Sequence, residues 1–153
     1  MEVNSFSAKG KRENNEDYTL SRQISPDCSL FLVADGMGGY SYGEIASSLA
    51  CESIAEYLTV NYGKSEIKQV LSDSLNIANK NINEMRQELA VKMGTTIAGA
   101  LIERSIAYLF WVGDVRIYHF RNSEILFQSE DHSLINEMKK KGTVSAKEIE
   151  RYG

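Results

Sequence analysis

What this sequence lacks narrows the field first. Its 153 residues hold two cysteines, one proline, one tryptophan and two histidines. Cys28 and Cys51 have no metal-ligand spacing, so neither a disulfide framework nor a thiolate metal cluster is expected. Cys51 falls inside a helical pattern and reads as a small core residue. A reducing, cytoplasmic setting is the expectation that follows. No stretch approaches the roughly 18 consecutive apolar residues of a membrane span. Residues 1–5 carry neither a basic n-region nor an apolar h-region, so no signal peptide and no membrane contact are expected. A net charge of −4 gives no general reason to expect nucleic acid as a partner. No repeat, low-complexity tract or linker appears. With 25% charged and 42% hydrophobic residues, residues 1–153 are expected to form a single domain with a real core.

The pattern of what is present points to α+β. Residues 18–24 alternate with Tyr18, Leu20 and Arg22 on one face. Pro26 and Asp27 then turn the chain into the apolar run Leu30, Phe31, Leu32, Val33, Ala34, so a hairpin is expected. Ser41 and Glu44 form a capping box. Ala46, Ala50, Ile54, Tyr57 and Leu58 follow as a helical stripe. A longer helix is expected from Ile67, Leu71, Leu75, Ala78, Ile82, Met85 and Leu89, with this face packed on a sheet. Runs at 95–102, 105–112, 115–121 and 124–127 are rich in β-branched and aromatic residues. The breaks between them are short, so they are expected to be antiparallel neighbours. Residues 131–141 and 145–152 return to helix, the latter opened by a second capping box at Ser145 and Glu148. Helices segregated from antiparallel strands define the α+β class.

One feature of the first hairpin carries chemistry. The apolar strand ends on Asp35, and Gly36, Met37, Gly38 and Gly39 follow as a glycine-rich turn. A carboxylate so placed can be held rigidly beside backbone that lets an ion or phosphate approach. On its own such an Asp can equally cap a turn or a helix. A phosphate-binding P-loop is rejected, because the Lys-Ser/Thr pair and the parallel βαβ setting are missing. Further groups share the character of Asp35. Arg12, Glu16 and Asp17 cluster near the N-terminus, where they read either as a functional group or as a solvated acidic turn with Arg12 paired to Glu13 or Glu16. Gly94, Thr95 and Thr96 open a strand and read mainly as structural. Asp114 follows Gly113 at an expected hairpin tip, either delivered to the Asp35 cleft or forming a simple turn with Arg116 as its partner. Asp131, His132 and Ser133 precede a helical pattern. Asp131 and Ser133 read as N-cap candidates, and His132 as structural before it reads as a general acid. Carboxylates without a Cys/His cluster suit hard ions such as Mg²⁺ or Mn²⁺ and not zinc.

In order and spacing these segments resemble the metal-dependent protein phosphatases of type 2C, the PPM family. Its motifs read roughly R-x-x-N-E-D, D-G-M-G-G, G-T-T, G-D-S-R and D-H-S. Met37 matches the bacterial branch, where other branches have His. The resemblance implies a PPM-type β-sandwich of antiparallel sheets flanked by helices. It implies a site of two or three Mg²⁺ or Mn²⁺ ions. Asp35 would bridge two of them and the Gly36 carbonyl would ligate one. Glu16 and Asp17 would act through ordered waters, and Asp114 would hold a third ion. Arg12 would contact the substrate phosphate through its planar fork of donors. Val115 departs from the Ser of the family motif but leaves Asp114 and Arg116 in place.

The implied activity is hydrolysis of phosphoserine and phosphothreonine in proteins by metal-activated water, without a covalent phosphoenzyme. Phosphoproteins, with a Ser/Thr kinase as natural opponent, are the implied partners. The family's domain continues past the point matching Gly153, with a D-G-L-x-D-type segment and a final D-N that bring further Asp ligands. Neither is found here, so the chain is expected to be the N-terminal part of such a domain. The alternative expectation is a truncated, non-catalytic pseudophosphatase or binding module. Its apolar strand edges would then favour a homodimer or a domain swap.

Overall fold

A computed structural model describes residues 1–38 and 42–132 of the chain. The expected helices at 131–141 and 145–152, both capping-box serines, Gly39 and Ser133 fall wholly or mainly outside the described residues. Strand β1 (Asp17–Ser25) and strand β2 (Cys28–Gly38) form the expected hairpin about Pro26 and Asp27. Helix α1 (Tyr42–Asn61) and helix α2 (Ile67–Leu89) follow. Strands β3 (Met93–Thr95), β4 (Ile97–Glu103), β5 (Ile106–Val112), β6 (Tyr118–Arg121) and β7 (Glu124–Gln128) complete the described chain. The α+β expectation is met by antiparallel sheets with helices laid on one of them.

The larger sheet runs β1-β2-β4-β5, and β3 pairs with the far end of β2. Alternation decides which side is covered. Cys28, Leu30, Leu32 and Ala34 of β2 are all buried and join one core cluster with Ala46, Ala50, Ile54 and Leu58 of α1. That helix is covered on a second side too. Cys51 and Ala55, one position on, are equally buried, because α2 packs over them.

This corrects one expectation. The apolar face of α2 packs chiefly on α1 and not on the sheet, since α1 already occupies the sheet's buried face. Small residues let the helices approach, and Asn81 Nδ2 donates to Ser53 Oγ across them at 2.8 Å. α2 ends on Ala90 in the left-handed region (φ 53°), with the Ala90 and Val91 N–H groups donating to Gln87 O and Arg86 O.

Two further expectations change. The described part of the glycine-rich stretch after Asp35, Gly36 to Gly38, is strand and not turn. β2 continues through it, with Gly36 opposite Thr95, Met37 opposite Gly94 and Gly38 opposite Met93. β3 gives these residues a ladder partner that no local pattern announces. The four downstream runs are also not one meander. β4 and β5 pair as expected, and Phe110 lies over Gly99 on the opposing strand, filling the space a Cβ would need. Residues 113–117 then leave the sheet, and β6 and β7 form a separate two-stranded sheet. The expected break at Arg121, Asn122 and Ser123 is a tight hairpin turn, with φ of 51° and 65° at Asn122 and Ser123. No described helix is long and apolar enough to cross a membrane.

Candidate active site

Asp35 sits within β2, directly opposite Asp17 on β1. Both residues are exposed on the sheet face away from α1. Like charges directly opposite on neighbouring strands repel unless a cation lies between them. The backbone of Asp35 is held on all sides by groups distant in sequence. Its N–H donates to Thr96 Oγ1 at 3.0 Å, and its carbonyl accepts from Thr96 N at 2.9 Å and Thr95 Oγ1 at 3.0 Å. Thr95 and Thr96 are therefore structural, as expected, and what they structure is the position of Asp35.

Next along β2, buried Gly36 forms a notch. A Cβ there would lie 2.0 Å from Gly43 O in the first turn of α1 and 2.7 Å from Glu16 O. Only glycine permits this approach of helix to strand. Gly36 N donates to Glu16 O at 3.1 Å, and Ser47 Oγ donates to the same carbonyl at 2.7 Å. The segment before β1 is thereby tied to both β2 and α1. Gly43 and Ser47 were not singled out from sequence. The one available signal was a glycine inside the first turn of an expected helix.

That tie closes a polar cleft of about 170 Å³ lined by Lys9, Arg12, Asn14, Glu16, Asp17 and Asp35, among others. Arg12 Nη1 lies 3.6 Å from Glu16 Oε2, with the Arg12 side chain 65% exposed and Glu16 17%. The cation is thus held at the cleft by one carboxylate and remains open to a ligand. Asn15 Oδ1 accepts from Asp17 N at 3.2 Å, turning the chain into β1. Lys9 and Asn14 were also not singled out from sequence, whereas Asn15 stands at the N of the R-x-x-N-E-D motif. A larger groove of about 470 Å³ lies between α2 and strands β3 to β5, lined by Leu75, Ala78, Ile82, Ile97 and Val112 among others. It has no charged lining residue, so the smaller polar cleft is the one equipped for chemistry.

Asp114 does not sit at a hairpin tip, as β5 and β6 are not paired. It lies in the loop between the two sheets. Gly113 (φ 97°) packs against the Thr96 side chain that holds Asp35, with Thr96 Cγ2 2.8 Å from where a Cβ would be. Asp114 does not line the cleft, yet its charge reaches Asp35. Burial pushes the Asp35 carboxyl above its ordinary range, Asp17 adds to the rise, Arg12 opposes it, and Asp114 and Glu16 raise it further. Arg116 is not the partner of Asp114. It makes a bidentate pair with Asp131, with Nε and Nη2 at 2.8 and 2.6 Å from the two carboxylate oxygens. Asp131 is accordingly an ion-pair residue, and the helix it was expected to cap lies outside the described residues. His132 stacks on Trp111 with ring centroids 5.8 Å apart.

The donors gathered near Asp35 are oxygen atoms, with more negative than positive charge, which suits a hard divalent cation. Among the described residues no three acidic, histidine or cysteine side chains close on one point as a ligand set. Glu16, Asp17 and Asp35 line the cleft without closing into such a set.

Fold and site together define the class. The chain belongs to the protein phosphatase 2C family, whose model matches residues 7–150. It is similar to protein phosphatase PhpP of Streptococcus pneumoniae, at 32% identity over 99% of this chain and 63% of that protein. The serine/threonine phosphatase of S. agalactiae superposes with a TM-score of 0.74 at 30% identity, covering 95% of this chain and 61% of that one. The catalytic domain of the serine/threonine protein phosphatase PstP, solved with 2 manganese ions, gives 0.74 at 27% identity over 94% and 61%. This chain thus spans about three-fifths of the length of these relatives.

Proposed function

We propose that these residues form the N-terminal part of a single metal-dependent phosphatase domain acting on phosphoserine and phosphothreonine in proteins. The observation that carries the reading is the shared cleft of Arg12 with Glu16, Asp17 and Asp35. A guanidinium offers paired donors to a phosphoryl group, and oxygen ligands beside it offer a seat for Mg²⁺ or Mn²⁺. Such an ion, when bound, supplies an activated water and neutralises phosphoryl charge. The chain's own residues do the rest. Asp35 and the Gly36 carbonyl would hold the ion, Glu16 and Asp17 would orient its surroundings, Asp114 would add a further ligand, and Arg12 would orient the phosphate. A Ser/Thr kinase is the natural source of the substrate. The expected cytoplasmic location suits such a substrate.

A second reading has its own observation. The described carboxylates do not close into a ligand set, which suits a non-catalytic binding module that pairs with another copy through its open strand edges. One experiment separates the two readings. Phosphate release from a phosphothreonine peptide is measured with and without Mn²⁺, for this chain beside Asp35→Asn. Release that requires Mn²⁺ and vanishes in the variant supports the enzyme. Absence of release from the intact chain, with the fold verified, supports the binding module.

A further inference from the structure

Asp114 has no ladder to hold it. Residues 113–117 leave β5 and reach β6 without strand pairing. A carboxylate on an unrestrained loop is poorly placed to hold an ion, because productive geometry tolerates only fractions of an ångström. Segment 129–132, just after β7, supplies the restraint. At one end of the loop, His132 N donates to Gly113 O at 2.8 Å. At the other, Ser129 N donates to Ile117 O at 2.9 Å and Ser129 Oγ accepts from Ile117 N at 2.8 Å. Between them Arg116 grips Asp131 in its bidentate pair, the Asp131 side chain being 19% exposed. The Trp111 indole stacks on His132 and donates from Nε1 to Glu130 O at 2.8 Å. Each residue of the segment thus grips a residue within three positions of Asp114.

We propose that segment 129–132 is a strap that fixes Asp114 relative to Asp35, with Arg116 and Asp131 as positioning residues for the divalent cation Asp114 holds. This rests on the reading of Asp114 as a cation ligand given above. The Arg116–Asp131 pair spans the middle of the loop, two positions beyond Asp114. An exposed single-contact ion pair contributes little, but a two-point pair between planar groups also fixes orientation. Residues that orient a ligand without touching the ion change metal affinity by about 10- to 100-fold when removed.

The test uses the full chain and Mn²⁺ alone, with binding followed by calorimetry. The variants are Asp114→Asn, Arg116→Asp, Asp131→Arg, the Arg116→Asp/Asp131→Arg swap, and Arg116→Asp in the Asp114→Asn background. Metal-free melting curves select those that fold. Arg116→Asp should weaken Mn²⁺ binding by about tenfold or more, and the swap should regain most of it. In the Asp114→Asn background Arg116→Asp should cost nothing further, because it acts through the carboxylate already removed. Wild-type affinity in Arg116→Asp, or a loss fully additive with Asp114→Asn, overturns the proposal. If the wild-type chain binds no Mn²⁺, the reading of Asp114 as a ligand fails. The strap is then judged by metal-free amide exchange at Ile117 and Ser129. Protection lost in Arg116→Asp and regained in the swap supports it, and unchanged protection refutes it.

Discussion

Thr96→Val isolates the contact that fixes Asp35. Threonine and valine have the same shape and similar strand preference, so the change removes one oxygen and little else. That oxygen accepts from Asp35 N at 3.0 Å, and Thr96 is only 3% exposed. A half-buried N–H left without its partner costs about 1–3 kcal/mol. For a domain of this size each kcal/mol lowers Tm by about 2–4 °C, so the expected fall is several degrees. Thr96→Ser is the control. It keeps the acceptor and loses the Cγ2 methyl that packs on Gly113, a loss of about 0.8 kcal/mol. Melting curves by circular dichroism should therefore rank wild type above Ser above Val. A valine variant as stable as wild type, or a serine variant less stable than the valine variant, refutes the idea that the hydroxyl anchors Asp35.

Gly36→Ala should destabilise by about 1–3 kcal/mol, because its Cβ would lie 2.0 Å from the Gly43 carbonyl, which is backbone and cannot rotate aside; a denaturant midpoint equal to wild type contradicts the notch. Ala90→Gly should raise the midpoint modestly, since an L-residue held at φ 53° costs about 1 kcal/mol or more that glycine does not; a lowered midpoint argues against that strain. Burial pushes the Cys51 thiol up from 9.0 to about 12, with Glu52 adding to it. The unfolded chain therefore loses this proton first, and stability present below pH 9 declines as pH rises toward 12, with a slope approaching about 1.4 kcal/mol per pH unit from this one group. Cys51→Ala should flatten that alkaline limb in urea melts at pH 8 to 10.5, and an unchanged slope removes Cys51 as its cause. Glu52→Ala should cost only about 0.5–1 kcal/mol, as its bonds to Tyr18 and Arg22 at 2.9 and 2.7 Å are partly exposed; a loss of several kcal/mol in chemical denaturation contradicts the estimate.

The elements read most easily from sequence are those whose period is set by one covering neighbour. β2 is of this kind, and its alternation matches the buried residues Cys28, Leu30, Leu32 and Ala34. Where burial comes from two neighbours, or pairing from far along the chain, the local pattern misleads. The stretch from Gly36 to Gly38 has turn composition, yet it is strand because Met93, Gly94 and Thr95 lie opposite. The stripe on α2 is real, but periodicity cannot say whether a helix or a sheet receives it. Arg12, Glu16, Asp17 and Asp35 were legible as a group because motif order carries them. Asp114 was legible as a residue, while its loop and the Arg116–Asp131 pair were not, since an ion pair across 15 positions leaves no trace in spacing.

The bonds around Asp35 have a consequence for the order of assembly. Its backbone partners stand 60 and 61 positions away in Thr95 and Thr96. The Glu16 carbonyl beside it is shared between Gly36 and Ser47. Hairpin β1-β2 can form early from local contacts, but it presents an Asp35 whose backbone is still unclaimed. Only when the chain has passed both helices and returned as β3 and β4 is that residue fixed. Contacts of such separation form late, because the loop between them must be closed before they contribute. Nascent or partly folded chains therefore carry the motif residues without the cleft, which appears only together with the completed sheet.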